Sequence, residues 1–98
     1  MNWRLTSAAE EDLHDILAWY ADPKRNNAID FLDEYEIAIR RILHNPEGWR
    51  PIGNAGYRRC LLDRFPYGIY YRVDNSVLIV VAVVHHRRAP GVWRERLE

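Results

Sequence analysis

Four residues that could carry chemistry stand in one uninterrupted run near the end of the sequence: His85, His86, Arg87 and Arg88. Histidine titrates near neutral pH and can accept or donate a proton, and arginine binds phosphate oxygens through a planar set of N–H donors. Cleavage of a phosphodiester without a metal ion requires proton transfer and fixed cations of this kind. Together with Arg59, which lies in an earlier strand-like segment, the first three residues of the run are therefore candidates for a site that cleaves a phosphodiester.

The same run has a simpler interpretation, which the sequence leaves open. One histidine could be buried at the end of a strand while its neighbour is solvated. Arginines that follow a strand often only mark the edge of a sheet with charge.

Charge is distributed unevenly along the chain, although 14 basic and 14 acidic residues give a net charge of zero. Residues 1–56 carry ten acids and six bases, whereas residues 57–98 carry four acids and eight bases, all of them arginine. This distribution predicts one acidic and one basic surface, which are either two solvated faces or a basic surface that binds an acidic target or partner.

Several classes of protein are disfavoured by the composition. Cys60 is the only cysteine, so neither an intrachain disulfide nor a cysteine-based zinc site can form, and no metal or cofactor is expected. The longest apolar run, residues 77–84, is far shorter than the ~20 residues of a membrane-spanning helix. The first residues lead directly into polar, acidic sequence without the apolar core of a signal peptide. We expect a cytoplasmic protein without a membrane partner, folded as one domain over residues 1–98.

Hydrophobic periodicity predicts two helices after a short strand at residues 3–5. Ser7 followed by Glu10 fits a capping box at the start of the first helix, which ends at Asp22-Pro23. The second helix begins near Asn26 or Asn27 and stops before residues 45–48, and its acidic residues are typical of a solvated face. The two apolar stripes contain Leu13, Ile16, Leu17 and Tyr20 in the first helix, and Ala28, Leu32, Tyr35, Ile39, Ile42 and Leu43 in the second.

Three strands are predicted in the second half, after a loop at residues 46–56. They cover residues 57–62, 67–73 and 77–85, with Asp74-Asn75 as a tight hairpin turn. The resulting order is β-α-α-β-β-β, an α+β fold in which a helical hairpin packs on an antiparallel sheet. Residues 77–84 are apolar on both faces, so either the C-terminal segment with Val92 and Trp93 or a partner protein must cover the second face.

The neighbouring residues of Trp19 and Trp49 indicate whether each side chain is packed or exposed. Trp19 lies between apolar residues of the first helix, which favours packing in the core or at an interface. Trp49 stands in the Pro/Gly-rich loop and is a candidate exposed contact.

Three segments together resemble the RelE/ParE superfamily of bacterial toxins. They are residues 5–13 (LTSAAEEDL), 65–73 (FPYGIYYRV) and 82–90 (AVVHHRRAP), and their order and spacing span nearly the whole chain. The resemblance implies a toxin that a cognate antitoxin neutralises in a hetero-oligomer by lying across its helices and sheet. The antitoxin-binding residues it implies are Leu13, Leu17, Trp19, Tyr20 and Tyr35.

The superfamily contains two activities: RelE-like members cut messenger RNA on the ribosome, and ParE-like members poison DNA gyrase without catalysis. Leu61, Gly68 and Trp93 stand where the ribonuclease members carry a lysine, an arginine and a tyrosine, although Arg59 and Arg87 match basic positions. This chain is therefore more similar to ParE-like members of plasmid-stabilising modules, with Arg72, Arg87, Arg88 and Trp93 as target-binding residues. Ribosome-dependent cleavage through Arg59, His85, His86 and Arg87 is the alternative, and a toxin-like fold that binds only its antitoxin is a third.

Overall fold

A computed structural model describes residues 1–88 and Arg96. The elements follow the predicted order with one additional strand. They are β1 (Asn2–Leu5), α1 (Ser7–Ala21), α2 (Ala28–His44), β2 (Arg50–Ile52), β3 (Tyr57–Leu61), β4 (Tyr67–Asp74) and β5 (Val77–His85). The strands form one sheet in the order β1-β5-β4-β3-β2, and every neighbouring pair is antiparallel except β1 with β5. The predicted α+β fold, with two helices packed on a largely antiparallel sheet, is confirmed.

The boundaries of α1 and α2 depend on local capping. Thr6, and not the predicted Ser7, caps α1, because its side-chain oxygen accepts a hydrogen bond from the backbone N–H of Ala9 at 3.2 Å. The backbone N–H of Thr6 also donates to the carbonyl of Val80 at 2.9 Å, which ties the start of the helix to β5. Asn27 lies at the N-cap of α2, as the sequence indicated.

The sheet differs from the sequence-based prediction at two turns. Residues 46–56, predicted as loop, contain β2, which pairs with β3. The β4–β5 hairpin turns at Asn75 and Ser76, whose φ angles are 50° and 62°, one residue later than predicted. Positive φ at both central residues is typical of a type I′ turn, whose geometry matches the twist of the two strands that it joins.

The helix-facing side of the sheet forms the larger core. Most of its large buried side chains come from α2, β4 and β5, and they include Phe31, Tyr35, Ile42, Ile69, Tyr71, Leu78, Val80 and Val83. Trp49 packs against this core and is partly buried, so the prediction of an exposed contact was wrong for this residue.

One acidic residue of α2 belongs to this buried region, against the prediction of a solvated face. Glu34 is 9% exposed, and its carboxylate accepts hydrogen bonds from the backbone N–H of Arg64 at 2.7 Å and from Nε of Arg64 at 2.8 Å. This contact joins the β3–β4 loop to α2.

The opposite, helix-free face of the sheet carries a second buried cluster. It consists of Tyr70, Ile79, Val81, Ala82 and Val84, with Ile52, Tyr57 and Val77 packed against it. Val81 and Ala82 both belong to this face because the β4–β5 register shifts there: Tyr71 pairs with Val80, and Tyr70 pairs with Ala82. Val92 and Trp93, predicted to cover this face, lie outside the described residues.

Neither helix in the described part of the chain is long and apolar enough to span a bilayer.

Candidate functional site

The candidate catalytic residues Arg59 and His85 lie on opposite faces of the sheet. His85 pairs with Tyr67 in register, and their rings are 5.4 Å apart on the helix-facing side. Arg59 pairs with Tyr70, whose side chain belongs to the helix-free face. Directly opposed residues of an antiparallel pair share a face. The sheet therefore separates Arg59, the candidate phosphate-binding cation, from His85, the candidate proton-transfer group.

His85 and His86 form a stacked pair at the end of β5. Their ring centroids are 4.9 Å apart with an interplanar angle of 25°, and Nδ1 of His86 lies 3.1 Å from the carbonyl of Pro66. The backbone N–H of Arg87 donates to Nδ1 of His85 at 3.2 Å, which requires that nitrogen to be unprotonated. Partial burial, followed by the charges of His86, Arg87 and Arg88, lowers the pKa of His85. Both the burial and the neighbouring charges favour the neutral form of the ring.

A cavity of about 600 Å³ lies between α1 and the C-terminal half of β5, and we call it the α1–β5 groove. It has an acidic wall on α1 and a basic group beyond β5, with aromatic and aliphatic side chains between them. Its lining residues are Asp12, Asp15, Ile16, Trp19, Tyr20, Pro66, Tyr67, Val83, Val84, His85, Arg88 and Arg96. The groove brings together Trp19 and Tyr20, predicted to bind the antitoxin, with Arg88, predicted to bind the target.

Trp19 is 54% exposed at this groove, so of the two positions expected for it, core or interface, the core is excluded. The guanidinium of Arg25 lies 3.4 Å from the centroid of its ring, and Arg25 in turn contacts the carboxylate of Asp22 at 3.3 Å. This cation–π contact covers one face of the indole and leaves about half of the side chain exposed. A large aromatic side chain held beside a cavity is typical of residues that dominate protein–protein contacts.

The other residues predicted to bind the antitoxin differ in accessibility. Leu13 and Leu17 are partly buried against the main core. Tyr20 is also partly buried, with its ring stacked 5.6 Å from Phe31, and burial raises its pKa. Tyr35 is only 2% exposed and packs in the core, where a partner cannot reach it.

The residues predicted to bind the target are divided between two faces. Arg87 and Arg88 are exposed in the turn after β5. Arg72 lies in β4, partly buried, 3.6 Å from the carboxylate of Asp74. Trp93 lies outside the described residues.

Asp12 and Arg96, which the sequence did not single out, bind the backbone of β5 beyond the point where its pairing with β1 ends. The carboxylate of Asp12 accepts a hydrogen bond from the backbone N–H of Val83 at 3.0 Å. Arg96 donates to both oxygens of this carboxylate, and also to the carbonyl of Val81 at 3.1 Å. The spacing held a signal, because position 12 lies three residues after Ala9 and four before Ile16, both of which are buried.

Comparison with known proteins identifies the relatives of this chain. The family model for the "ParE toxin of type II toxin-antitoxin system, parDE" matches residues 3–90. A solved structure of the chromosomal ParDE toxin–antitoxin system from P. aeruginosa has a TM-score of 0.73 and 20% sequence identity, and the match covers 87% of this chain and 95% of that chain. No curated protein matches the sequence. At this identity the structural match shows a shared fold, whereas the family model confirms the sequence-based resemblance.

Proposed function

The chain belongs to the ParE toxin family of type II toxin–antitoxin systems, and we propose that it acts in the cytoplasm by binding DNA gyrase without catalysis of its own. The observation that carries this proposal is the placement of Arg59 and His85 on opposite faces of the sheet. A metal-free ribonuclease needs its base and its phosphate-binding cations around one scissile bond. A protein inhibitor needs only a surface complementary to its target. We further propose that the toxin and its antitoxin together form a plasmid-stabilising module.

The target-binding surface that we propose centres on Arg87 and Arg88. Both side chains are exposed, and neither is engaged by an acidic residue within the described part of the chain. Exposed arginines of this kind favour association with an acidic surface and strengthen specificity. Trp93 follows them closely in sequence, and we include it as a proposed contact.

A toxin of this family has a cognate antitoxin as its partner, and we propose that the antitoxin occupies the α1–β5 groove. Trp19 supplies an exposed aromatic anchor there, and Ile16, Tyr20 and Val84 supply apolar surface. The groove also contains Arg88, so the antitoxin would cover part of the target-binding surface. Neutralisation by direct competition with the target follows from this overlap.

The deciding experiment compares the two activities with purified protein. The toxin without its antitoxin is added to gyrase in a supercoiling assay, and separately to translating ribosomes with messenger RNA. We expect inhibited supercoiling and intact RNA. The double variant Arg87→Gln/Arg88→Gln should weaken inhibition, whereas His85→Ala/His86→Ala should leave it nearly unchanged.

One observation favours the ribonuclease as a second candidate. Nδ1 of His85 accepts a hydrogen bond from the backbone N–H of Arg87, the lowered pKa favours the neutral ring, and two arginines lie close by in sequence. If the protein cuts messenger RNA through this histidine, the double alanine variant should lose on the order of 10²–10⁴ in rate. Ribosome-dependent cleavage that shows this loss would overturn the gyrase proposal.

A further inference from the structure

Three arginines lie next to one another on the helix-free face of the sheet, and we call Arg50, Arg59 and Arg72 the arginine patch. Arg50 and Arg59 are direct cross-strand partners between β2 and β3. Arg59 is opposite Tyr70, so Arg72, two residues further along β4, is its diagonal neighbour. Side chains in these two relations have Cβ atoms about 5 Å and about 7–8 Å apart, within reach of one another.

The charge of the arginine patch is poorly neutralised by the described residues. Asp74 contacts Arg72 at 3.6 Å, but no described acidic side chain forms an ion pair with Arg50 or Arg59. Nε of Arg59 is buried without a hydrogen-bond partner. Like charges placed directly opposite each other destabilise a sheet, and a buried donor without an acceptor adds to that cost. An anionic ligand would offset both effects.

The position of Arg59 is also fixed by its surroundings. A Cβ atom on Gly68 would lie 3.4 Å from Cγ of Arg59 and 3.3 Å from the ring of Tyr70. The aliphatic part of Arg59 therefore passes close to the backbone of β4 at Gly68, where a larger residue would crowd it. The absence of a side chain at Gly68 therefore leaves room for the aliphatic part of Arg59 on this face of the sheet.

The residues around Arg59 indicate which anion fits. Tyr57, Arg59 and Leu61 alternate along β3, so they share the helix-free face at intervals of about 6.8 Å. Leu61 is 48% exposed, so the pattern along the strand is apolar, basic, apolar. An extended protein segment with an acidic residue between two apolar ones matches this pattern. The phosphates of a nucleic acid would match Arg59 but would leave Leu61 without an apolar partner.

We propose that the arginine patch binds an acidic, extended segment of the antitoxin, through carboxylates that contact Arg50 and Arg59. This inference depends on the antitoxin being the partner, as in the proposed function, but it does not depend on gyrase being the target. The arginine patch lies on the helix-free face of the sheet, whereas the α1 wall of the groove lies on the helix-facing side, so one antitoxin would contact the toxin from both sides.

Fluorescence anisotropy with the full-length toxin tests the proposal. The probe is a labelled octapeptide of alternating glutamate and leucine, and the matched peptide carries glutamine in place of glutamate. We expect salt-sensitive binding of the acidic peptide only. Arg50→Gln and Arg59→Gln should each weaken it roughly tenfold or more, the usual effect of losing a hydrogen bond to a charged group. The control is Arg41→Gln, which also removes one positive charge, but from α2, where Arg41 pairs with Asp63. This variant should change the affinity for the acidic peptide by less than about twofold.

Four results would overturn the proposal: equal weakening by Arg41→Gln, equal binding of the glutamine peptide, binding of oligouridylate instead of the acidic peptide, or a tenfold gain in peptide affinity on Glu95→Gln/Glu98→Gln. The last result would identify the toxin's own tail as the occupant. In a second measurement, the antitoxin complex of Arg50→Gln/Arg59→Gln should dissociate at lower salt than the native complex. If the double variant's complex dissociates at the same salt concentration as the native complex, the arginine patch is refuted and the proposed function is unaffected. If instead the native toxin fails to inhibit gyrase, but the arginine substitutions still weaken peptide binding, the gyrase proposal is refuted and the arginine patch is supported.

Discussion

Replacing Asp12 by asparagine should destabilise the protein far more than the same change at a surface carboxylate. The side chains of Asp12 and Arg96 are only 15% and 22% exposed, and the ion pair joins α1 to the C-terminal segment. Removing one partner of a fully buried pair costs about 3–5 kcal/mol, so the remaining exposure suggests about 2–3 kcal/mol here. For a domain of this size that loss lowers Tm by about 10–20 °C.

Asp63→Asn is the matched control, because Asp63 pairs with Arg41 at 3.1 Å while both side chains are more than half exposed. Exposed pairs contribute about 0–1 kcal/mol, so this variant should melt within a few degrees of the native protein. Urea unfolding of Asp12→Asn, Arg96→Gln and the double variant measures the coupling between the partners. Equal losses for Asp12→Asn and Asp63→Asn, or additive losses in the double variant, would show that the reasoning is wrong.

Three further predictions concern buried groups and the groove. Glu34→Gln should cost about 1–3 kcal/mol because it weakens both hydrogen bonds from Arg64, and an equal loss in the exposed control Glu36→Gln by urea unfolding would contradict this. Burial raises the pKa of Cys60 from 9.0 to about 11. The unfolded chain therefore releases this proton first, and unfolding free energy should fall by about 1 kcal/mol between neutral pH and about pH 10; a constant value would refute it. Trp19→Ala should weaken antitoxin binding by about 2 kcal/mol or more while changing stability by less than about 0.5 kcal/mol, and calorimetric titration should show no such loss for Ile29→Ala, an exposed residue outside the groove.

Deletion of residues 89–98 is a weaker test of target binding than substitution of the arginines. The deletion removes Arg96 and leaves the carboxylate of Asp12 without its cation. Loss of toxicity in the truncated protein would then combine lost target contacts with lost stability.

The fold could be predicted from the sequence because its long elements have strong patterns. The stripe that contains Phe31, Ile39 and Ile42 identifies α2, and the apolar run at residues 77–85 identifies β5. β2 could not be predicted in the same way, since a three-residue strand that contains Pro51 has no periodicity to detect. Its pairing with β3 depends on tertiary contacts, and β2 supplies one of the arginines of the arginine patch.

The candidate site could not be predicted as a whole because one irregularity in β5 decides which face His85 occupies. Val80 faces the helices, and strict alternation from Val80 would place His85 on the helix-free face together with Arg59. The extra residue at Val81 reverses the alternation and returns His85 to the helix-facing side. A bulge within an uninterrupted run of valine and alanine leaves no mark in the sequence.

Two side chains bind the backbone of β5 at this bulge, and neither was singled out in the sequence. Asp12 accepts from the N–H of Val83, and Arg96 donates to the carbonyl of Val81, so the two side chains bind the backbone on either side of Ala82. Backbone groups at a bulge are not satisfied by the regular ladder, and these two contacts take the place of a neighbouring strand. The Asp12–Arg96 ion pair thus contacts β5 at the irregularity that places His85 on the helix-facing side, so Asp12→Asn should perturb this part of β5 as well as lower stability.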